Sequence, residues 1–320
     1  MIHLGIDTSN YKTSLAAVDE DRHILSNISE YLDVPKGERG LRQSDAFFKH
    51  SNKLPFLTEK LLKTIDAGDV SSVGVSYAPR RVEGSYMPCF LAGVNLGKVI
   101  SELLGVPCYE FSHQEGHAAA IIDTTEDAGD DPVILMHLSG GTTEFLKCTP
   151  SKAGYNTEIV GGSLDISFGQ LIDRFGFAIG LPFPAGPEMD KIAETCEAKT
   201  DSDVLGNIRV KDGYFNLSGP ETRLMGFASS SKEKDLRAVI FEIMDKISDI
   251  LIESSDYLCE KYGTEKVYMA GGVASSITIR KLLKIKQKRE SYRILFGDPA
   301  LSGDNAVGTA ILAGKAFNHK

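Results

Sequence analysis

The spacing of apolar residues along the chain predicts a repeated order of strands and helices. Apolar runs at 2–6 and 13–18 flank a polar turn, which is typical of a β-hairpin. The run 132–138 shows little alternation and predicts a strand buried on both faces, and 144–148 returns from it after a second polar turn. Strands and helices alternate after each hairpin, so the pattern predicts two related α/β halves.

Longer apolar stripes predict the helices. Helical spacing extends over 46–65, where Pro55 indicates a break or a helix start, and over 232–262, the longest such stretch. The segment 210–225 is predicted to be irregular, and the acidic segment 123–131 is the most linker-like part of the chain. Further helices are predicted at 89–104, 168–179, 187–196, 276–285 and 303–317, and further strands at 70–77, 106–110, 266–269 and 292–296.

Composition narrows the class of protein. The chain has 320 residues, of which 42% are apolar and 25% charged, which favours a soluble globular protein of two domains. The five cysteines never form a Cys-x-x-Cys pair, so we expect reduced thiols rather than a zinc ribbon or a disulfide framework. We find no signal-peptide pattern and no apolar run near the ~20 residues of a membrane helix, and therefore expect a cytoplasmic protein without membrane contact.

Charge argues against nonspecific binding of nucleic acid by the whole surface, because the formal net charge is −9. The basic segment 280–293 has two interpretations that the residues leave open. It is either a solvated helix face or a local contact for RNA or phosphate.

A pair of histidines is the first candidate for chemistry. His113 and His117 are spaced i and i+4, so both imidazoles can reach one metal ion from one face of a helix. Gln114 follows the first histidine where zincin peptidases carry their general base, so a thermolysin-like mechanism is not supported. Surface or capping histidines remain the alternative. Asp304 is likewise either a helix cap or a third, carboxylate ligand.

Three turns rich in glycine or hydroxyl residues each follow a predicted strand. Backbone N–H groups in such turns can cradle phosphates, and three of them in order indicate a nucleotide site. The chain has neither GxxxxGK[ST] nor GxGxxG, so P-loop and Rossmann folds are set aside. The turns are Gly5-Ile6-Asp7-Thr8-Ser9, Leu138-Ser139-Gly140-Gly141-Thr142 and Ala270-Gly271-Gly272-Val273.

These motifs together resemble the TsaD family of tRNA threonylcarbamoyl transferases, formerly called M22 glycoproteases, within the actin-like ATPase superfamily. The resemblance extends over nearly the whole chain. It implies an α/β fold of two actin-like (RNase H-like) domains with a central cleft, which we expect to divide as 1–111 plus 301–320 and 112–300. The motifs that carry it are Gly5-Ile6-Asp7-Thr8-Ser9, His113-x-Glu115-Gly116-His117, Ser139-Gly140-Gly141-x-Thr143, Asp173, Ala185-Gly186-Pro187, Ala270-Gly271-Gly272-Val273 and Asp304-Asn305.

The resemblance also implies a reaction and its site. The family transfers the threonylcarbamoyl group from threonylcarbamoyl-adenylate to the tRNA adenosine beside the anticodon, generally together with partner proteins. It implies one divalent metal ion, iron or zinc, held by His113, His117 and Asp304, and an adenine nucleotide or acyl-adenylate as substrate. The residues expected to bind nucleotide or substrate are Asp7, Ser9, Leu138, Ser139, Gly140, Gly141, Asp173, Gly186, Asp190, Gly271, Gly272 and Ser276.

The chain departs from the family pattern near the reacting groups. After Thr8-Ser9 the family usually has Cys or Asn followed by Asp-Glu, whereas this chain has Asn10, Tyr11 and Lys12. Glu221 takes the place of a lysine. We therefore hypothesise that Lys12 and Glu221 are catalytic residues that form a charge-reversed pair. The family's Gly-Pro-Gly loop is replaced by 78–85, with Arg80 and Arg81, and its Asn after Gly-Gly-Val is Ser276.

A more cationic site would suit an anionic acyl donor different from threonylcarbamoyl-adenylate, and the chain is then a diverged paralogue. Two other functions stay open. One is a non-catalytic nucleotide-binding module that regulates or scaffolds a partner. The other is a carbamoyl or acyl transferase that acts on a small molecule. The three retained metal ligands weigh against a pure scaffold, because a scaffold needs none of them.

Overall fold

The computed structural model describes residues 1–9, 11–33, 41–125, 129, 131–152, 154–196, 202–230 and 235–319. Asn10, part of the linker-like segment 123–131 and the first residues of the helix predicted at 232–262 lie outside them. The chain forms two compact units. Unit 1 comprises 1–130, 149–157 and 300–320, and unit 2 comprises 131–148 and 158–299.

The described residues contain the following elements. The strands are β1 (Ile2–Asp7), β2 (Lys12–Asp19), β3 (Ile24–Tyr31), β4 (Val70–Ala78), β5 (Cys108–Ser112), β6 (Val133–Leu138), β7 (Thr143–Ser151), β8 (Gly154–Ser163), β9 (Tyr214–Phe215), β10 (Lys266–Ala270) and β11 (Arg293–Phe296). The helices are α1 (Gln43–Leu61), α2 (Leu91–Leu104), α3 (His113–Ile122), α4 (Phe168–Ala178), α5 (Gly186–Glu194), α6 (Ser218–Ser229), α7 (Leu236–Tyr262), α8 (Ile277–Lys286) and α9 (Val307–Asn318).

The sheet of unit 1 has the strand order β3-β2-β1-β4-β5. Strand β2 pairs antiparallel with β1 and with β3, while β1, β4 and β5 run parallel. Parallel strands end at the same edge of a sheet. The carboxyl ends of β1, β4 and β5, at Asp7, Ala78 and Ser112, therefore lie along one edge.

A glycine allows two helices beside this edge, α3 and α9, to pack closely. On one face of the sheet, α1 and α2 cover an apolar core that includes Ile6 and Leu57. On the other face α9 packs against β1, β4 and α3. A Cβ on Gly308 of α9 would overlap the carbonyl oxygen of Gly116 in α3, so only glycine allows the two helices to approach this far.

The second sheet has the order β11-β10-β6-β7-β8-β9. Without β9, and read in the opposite direction, this order is β8-β7-β6-β10-β11. It repeats the order β3-β2-β1-β4-β5 of unit 1. Strand β9 is an addition beside β8. The two related α/β halves predicted from the apolar pattern are therefore confirmed in their strand order.

Helix α6 corrects the prediction that 210–225 is irregular. Its N-terminal N–H groups, at Leu217 and Ser218, donate to the Asp165 carboxylate at 2.8 and 2.9 Å. This carboxylate comes from a turn more than fifty residues earlier, so local sequence gives no sign of the cap. Strands β3 and β8 were also absent from the prediction, and α1 continues through Pro55 without ending.

The division into units differs from the expected domain boundary at residue 112. Helix α3 belongs to unit 1 rather than to the second domain, as does 149–157. The physical reason is the close packing of α3 on α9 and on the end of β4. None of the described helices is long and apolar enough to cross a bilayer.

Candidate metal centre and nucleotide pocket

The first turn of α3 is fixed by its cap. Ser112, the last residue of β5, accepts from the Glu115 N–H at 3.2 Å, and Glu115 accepts from the Ser112 N–H at 2.8 Å. This reciprocal capping box satisfies two N–H groups that the helix itself leaves unpaired. The helix therefore starts directly at His113, and His117 lies one turn later on the same face.

Three ligand atoms converge at this face. The Nε2 atoms of His113 and His117 are 2.9 Å apart, and each lies 3.4 Å from Oδ1 of Asp304. Both imidazoles are mostly buried: 19% of the His113 side chain and 12% of the His117 side chain are exposed. The structure thus brings together the three residues that sequence motifs nominate as metal ligands.

The loop before α9 places Asp304. Asn305 donates from Nδ2 to the carbonyl oxygens of Leu301 and Gly303, both at 2.8 Å, and its Oδ1 accepts from the Val307 N–H at 2.9 Å. Asn305 therefore supplies the bonds that shape the start of α9. The N-cap residue is Ala306, so the alternative interpretation of Asp304 as a helix cap is wrong.

Asp7 orients the first histidine. Its Oδ2 lies 2.6 Å from Nδ1 of His113, and its carboxylate also accepts from the Ser9 N–H and the Ser76 hydroxyl. The residue is 1% exposed, at the end of β1. A carboxylate only accepts, so Nδ1 of His113 must donate, and neutral His113 then keeps the lone pair of Nε2. The structure places Asp7 behind His113, and its role as a nucleotide contact stays a prediction.

Electrostatics in this cluster favour ionised carboxylates. Burial opposes the charge of Asp7, but the charge and hydrogen bond of His113 lower its pKa below the usual value. For Asp304, burial is likewise outweighed by both histidines, and the pKa lies far below its ordinary range. Burial alone would lower the pKa of His113, but Asp7 and Asp304 raise it to about 10. The buried carboxylate of Asp7, the partly exposed carboxylate of Asp304 and the two imidazoles form a cluster matched to a cation.

The donor set fits a divalent transition metal. With metal–ligand bonds of about 2.0–2.1 Å, neighbouring ligand atoms in a tetrahedral site are about 3.3 Å apart. The two histidine–Asp304 distances of 3.4 Å are close to this value, and the histidine–histidine distance of 2.9 Å is shorter. The second nitrogen of His113 bonded to a carboxylate is the arrangement that supports metal-bound histidines in general. Both imidazole and carboxylate ligands suit zinc and iron.

Ser9 lies beside this cluster. It is 2% exposed, and its Oγ has no hydrogen-bond partner among the described residues. Its neighbour Thr8 is instead engaged, donating to the Cys89 carbonyl at 3.1 Å and accepting from the Gly93 N–H at 3.2 Å. The turn after β1 is thereby tied to α2.

A second candidate site is a cavity of about 420 Å³ within unit 2. Apolar side chains of α4, α7 and α8 and of a short 3-10 turn line it, including Ile172, Met244, Val273 and Ile279. Its size and apolar lining suit a nucleoside. Six of the residues nominated from sequence line this one cavity: Gly140, Asp173, Gly186, Asp190, Gly272 and Ser276.

The turns at the cavity are shaped by their glycines. Gly271 has a φ of +110°, and a Cβ there would overlap the carbonyl oxygen of Leu138, at the end of the neighbouring strand. Ser139 accepts from the Thr142 N–H at 3.0 Å, which closes the turn after β6. A Cβ on Gly140, Gly141 or Gly272 would meet open space, so a ligand can approach these backbones closely.

Two of the nominated residues bond to each other. The Asp190 carboxylate accepts from the Ser276 hydroxyl at 2.6 Å and from the N–H groups of Ile277 and Thr278 at 2.8 and 3.1 Å. Asp190 therefore binds the N-terminus of α8, and Ser276 caps the same helix by accepting from the Ile279 N–H. Asp173 accepts from the Ala185 N–H at 2.8 Å through one oxygen.

The nominated catalytic residues each have a partner within their own unit. Lys12 places its ammonium over the Tyr31 ring, 5.3 Å from the centroid. Glu221, in the first turn of α6, accepts from Arg174 at 2.7 Å. The charge-reversed pairing of Lys12 with Glu221 stays a prediction.

At least three of the seven basic residues in the segment 280–293 form ion pairs. Lys281 pairs with Glu194, Lys286 with Asp245 and Asp249, and Arg289 with Glu260 and Asp256. These ion pairs are typical of a charged helix face, and the RNA or phosphate contact stays a prediction.

A family model described as TsaD, tRNA N6-adenosine threonylcarbamoyltransferase, matches residues 23–311. A relative of that name from Thermotoga neapolitana is 28% identical over 308 residues, covering 96% of this chain and 91% of the relative. One from Clostridium kluyveri is 29% identical over 319 residues, with 96% and 90% covered.

A solved structure supports the fold. A ROK family glucokinase from Streptomyces griseus, in complex with glucose and AMPPNP, aligns with a TM-score of 0.52 and 15% identity, covering 98% of this chain and 99% of the kinase. This likeness concerns the fold alone. It confirms the two-domain α/β fold of actin-like ATPases that the sequence motifs implied.

Proposed function

Because the chain belongs to the TsaD family of tRNA N6-adenosine threonylcarbamoyltransferases, we propose that it transfers the threonylcarbamoyl group from threonylcarbamoyl-adenylate to the tRNA adenosine beside the anticodon. The observation that carries the proposal beyond family membership is the convergence of the His113, His117 and Asp304 ligand atoms within 3.4 Å of one another. A regulatory module needs no such centre. We propose that this transfer, as in the family generally, takes place together with partner proteins.

In this proposal, His113, His117 and Asp304 hold one iron or zinc ion. When bound, the metal supplies Lewis acidity toward a phosphate or carbonyl oxygen. Asp7 keeps a proton on Nδ1 of His113, as the 2.6 Å contact requires, and so reserves Nε2 for coordination. The anionic end of the bound substrate lies at the turn after β1, beside Ser9.

The cavity of unit 2 takes the adenosine portion of the donor. Its apolar side chains, including Ile172 and Val273, contact the base, and the free oxygen of Asp173 accepts from a ribose hydroxyl. The backbone N–H groups of Gly140 and Gly141 face phosphate, while the Ser139 N–H closes the turn by donating to the Thr142 carbonyl oxygen at 2.9 Å. Donors fixed in this way stabilise the charge that develops on the departing AMP.

Lys12 and Glu221 are proposed as catalytic residues of opposite charge. Lys12 binds an anionic group of the donor, and Glu221 accepts a proton from the attacking amine. Their partnership is tested by exchange. Lys12→Glu and Glu221→Lys each lower the transfer rate, and the double exchange restores part of it. Additive losses would show that the two residues act separately.

The main experiment is a reconstituted transfer reaction. Metal-loaded protein is mixed with threonylcarbamoyl-adenylate, unmodified tRNA and the companion proteins of the machinery, and modified adenosine is measured by mass spectrometry. We expect transfer by the wild type, its loss in His113→Ala and Asp304→Ala, and its retention in His23→Ala, an exposed histidine with 76% of its side chain accessible. Equal transfer by all four proteins would contradict the metal centre.

One alternative is favoured by a specific observation. Both altered residues are already engaged, Lys12 by the Tyr31 ring and Glu221 by Arg174. This supports a paralogue that binds nucleotide and regulates a partner without transfer. Tight binding of ATP and metal by wild type, with no modified adenosine even in the complete mixture, is the result that would select it.

A further inference from the structure

Arg81 lies in the segment 78–85, where the TsaD pattern has Gly-Pro-Gly and this chain has two arginines. Its guanidinium donates two hydrogen bonds to the Glu115 carboxylate, from Nε to Oε2 at 3.2 Å and from Nη2 to Oε1 at 3.1 Å. Nη2 also lies 3.4 Å from the carbonyl oxygen of Glu110. Side-by-side contact of this kind fixes the orientation of a carboxylate more firmly than a single ammonium does.

Glu115 is the residue through which Arg81 reaches the metal centre. Only 7% of its side chain is exposed, against 56% for Arg81. Its Oε2 also accepts from the N–H and the hydroxyl of Ser112, at 2.8 and 2.7 Å. A buried carboxylate is tolerated only when charge and hydrogen bonds compensate its lost hydration. Arg81 supplies the charge, and Ser112 supplies the remaining donors.

A second bond joins the same segment to α3. The Gln114 N–H donates to the carbonyl oxygen of Pro79 at 3.1 Å. Pro79 and Arg81 therefore hold two consecutive residues of the first helical turn. Gln114 and Glu115 lie between His113 and His117. The contacts therefore act on the stretch of helix that sets the distance between the two histidines.

We propose that Arg81 is a positioning residue of the metal centre. Acting through Glu115, its guanidinium fixes the first turn of α3 and thereby the 2.9 Å spacing of the His113 and His117 Nε2 atoms. The inference rests on the proposed metal site. It goes beyond that proposal, because it assigns a role to an arginine introduced where the family pattern has glycine and proline.

The expected size of the effect follows from supporting contacts in other metal sites. Removing a group that orients a metal ligand commonly weakens binding by about 10- to 100-fold. Arg81 acts through one intervening residue, so we expect about a tenfold loss, at the lower end of that range. Lysine cannot form the two-donor contact, so Arg81→Lys should recover only part of the affinity.

The test measures cobalt binding rather than activity. Co²⁺ is titrated into metal-free wild type, Arg81→Ala, Arg81→Lys, Glu115→Gln and the Arg81→Ala/Glu115→Gln double variant, and both Kd and the visible d–d spectrum are recorded. Lys98→Ala is the matched control, because Lys98 forms an exposed ion pair with Glu110 in the neighbouring strand. Thermal unfolding of each metal-free protein reports on stability separately.

We expect Arg81→Ala to raise the Co²⁺ Kd about tenfold and to change the d–d bands, while Lys98→Ala matches wild type. In the Glu115→Gln variant, adding Arg81→Ala should raise the Co²⁺ Kd little further, because the carboxylate through which Arg81 acts on the histidines is already absent. Wild-type Kd and spectrum in Arg81→Ala would overturn the positioning role while leaving the metal site intact. A lowered melting temperature with unchanged Co²⁺ bands would also overturn it, as a purely structural effect. Failure of wild type to bind Co²⁺ would overturn the metal site and this role together.

Discussion

Replacing Asp7 with asparagine tests the metal centre at its most buried contact. The carboxylate is 1% exposed and accepts three hydrogen bonds, from Ser9, Ser76 and His113. An amide of the same shape has one oxygen and one NH2 group. If the NH2 group faces Nδ1 of His113, the imidazole must carry its proton on Nε2, which removes the lone pair that binds metal. If it faces the Ser9 N–H instead, two donors meet in a buried site.

The magnitude follows from these two orientations. Either one mispairs a buried group or forces the wrong tautomer, and comparable changes behind metal-bound histidines cost about 10- to 100-fold in metal affinity. At about 1.4 kcal/mol per tenfold, this corresponds to roughly 1.4–2.8 kcal/mol. We therefore expect Asp7→Asn to raise the Zn²⁺ Kd by that factor.

The assay is competition between the protein and a chromophoric chelator for Zn²⁺ at fixed pH and ionic strength. Ser76→Ala is the matched control, because it removes a different hydrogen bond to the same carboxylate and leaves the contact with His113 in place. Its Kd should stay close to wild type. Wild-type affinity in Asp7→Asn, measured in protein that unfolds at the normal temperature, would refute the reasoning that Asp7 orients His113.

Three further outcomes are expected. Asp165→Asn should destabilise the protein at pH 7 by roughly 1 kcal/mol, since it weakens the cap of α6. Burial opposes the charge of Asp165, but its hydrogen bonds lower the pKa to about 2 from 3.8, so its stabilisation is present above pH 4 and is lost as pH falls toward 2. Urea unfolding across this range should show the variant and wild type converging. Gly308→Ala should cost about 1–3 kcal/mol, because its Cβ meets backbone of α3, whereas Gly226→Ala, whose Cβ meets open space, should be neutral or stabilising by about 0.5–1 kcal/mol. Chemical denaturation compares the two glycine variants. Removing metal with a chelator should lower the melting temperature in scanning calorimetry, and re-addition of Zn²⁺ should restore it. An unchanged melting temperature would count against metal binding by the folded state.

The hairpin that opens each α/β half was predictable from sequence, because a polar turn separates two apolar runs and such periodicity is a local property. Helix α6 was not accessible. Its start, Ser218-Gly219-Pro220, contains two residues that usually interrupt helices, and the compensating carboxylate of Asp165 arrives through tertiary structure. Strand β8 was missed for a related reason, since it contains Gly161 and Gly162.

The site was predictable where spacing along one element sets geometry, as for His113 and His117. For Asp304 the residues left a helix cap and a metal ligand both open, because it lies 187 positions after His117 in the chain (304 − 117). The contact of Asp7 with His113 was missed although a signal was present. It ends β1, and His113 follows β5 in the same sheet, so parallel strands carry both to one edge. The contact of Arg81 with Glu115 had no sequence signal, because loop conformation decides it.

The discontinuity of unit 1 has a consequence for synthesis. Asp304 and α9 follow the whole of unit 2 in the chain, whereas His113 and β1 precede it. A ribosome therefore delivers all of unit 2 before unit 1 can place its last helix on β1. Contacts between segments so far apart in the chain slow folding, because the entropy of closing the intervening loop is lost before the contacts stabilise the structure. At the proposed metal centre, binding of the ion is then a late step of synthesis, available only to a chain whose translation has passed Asp304.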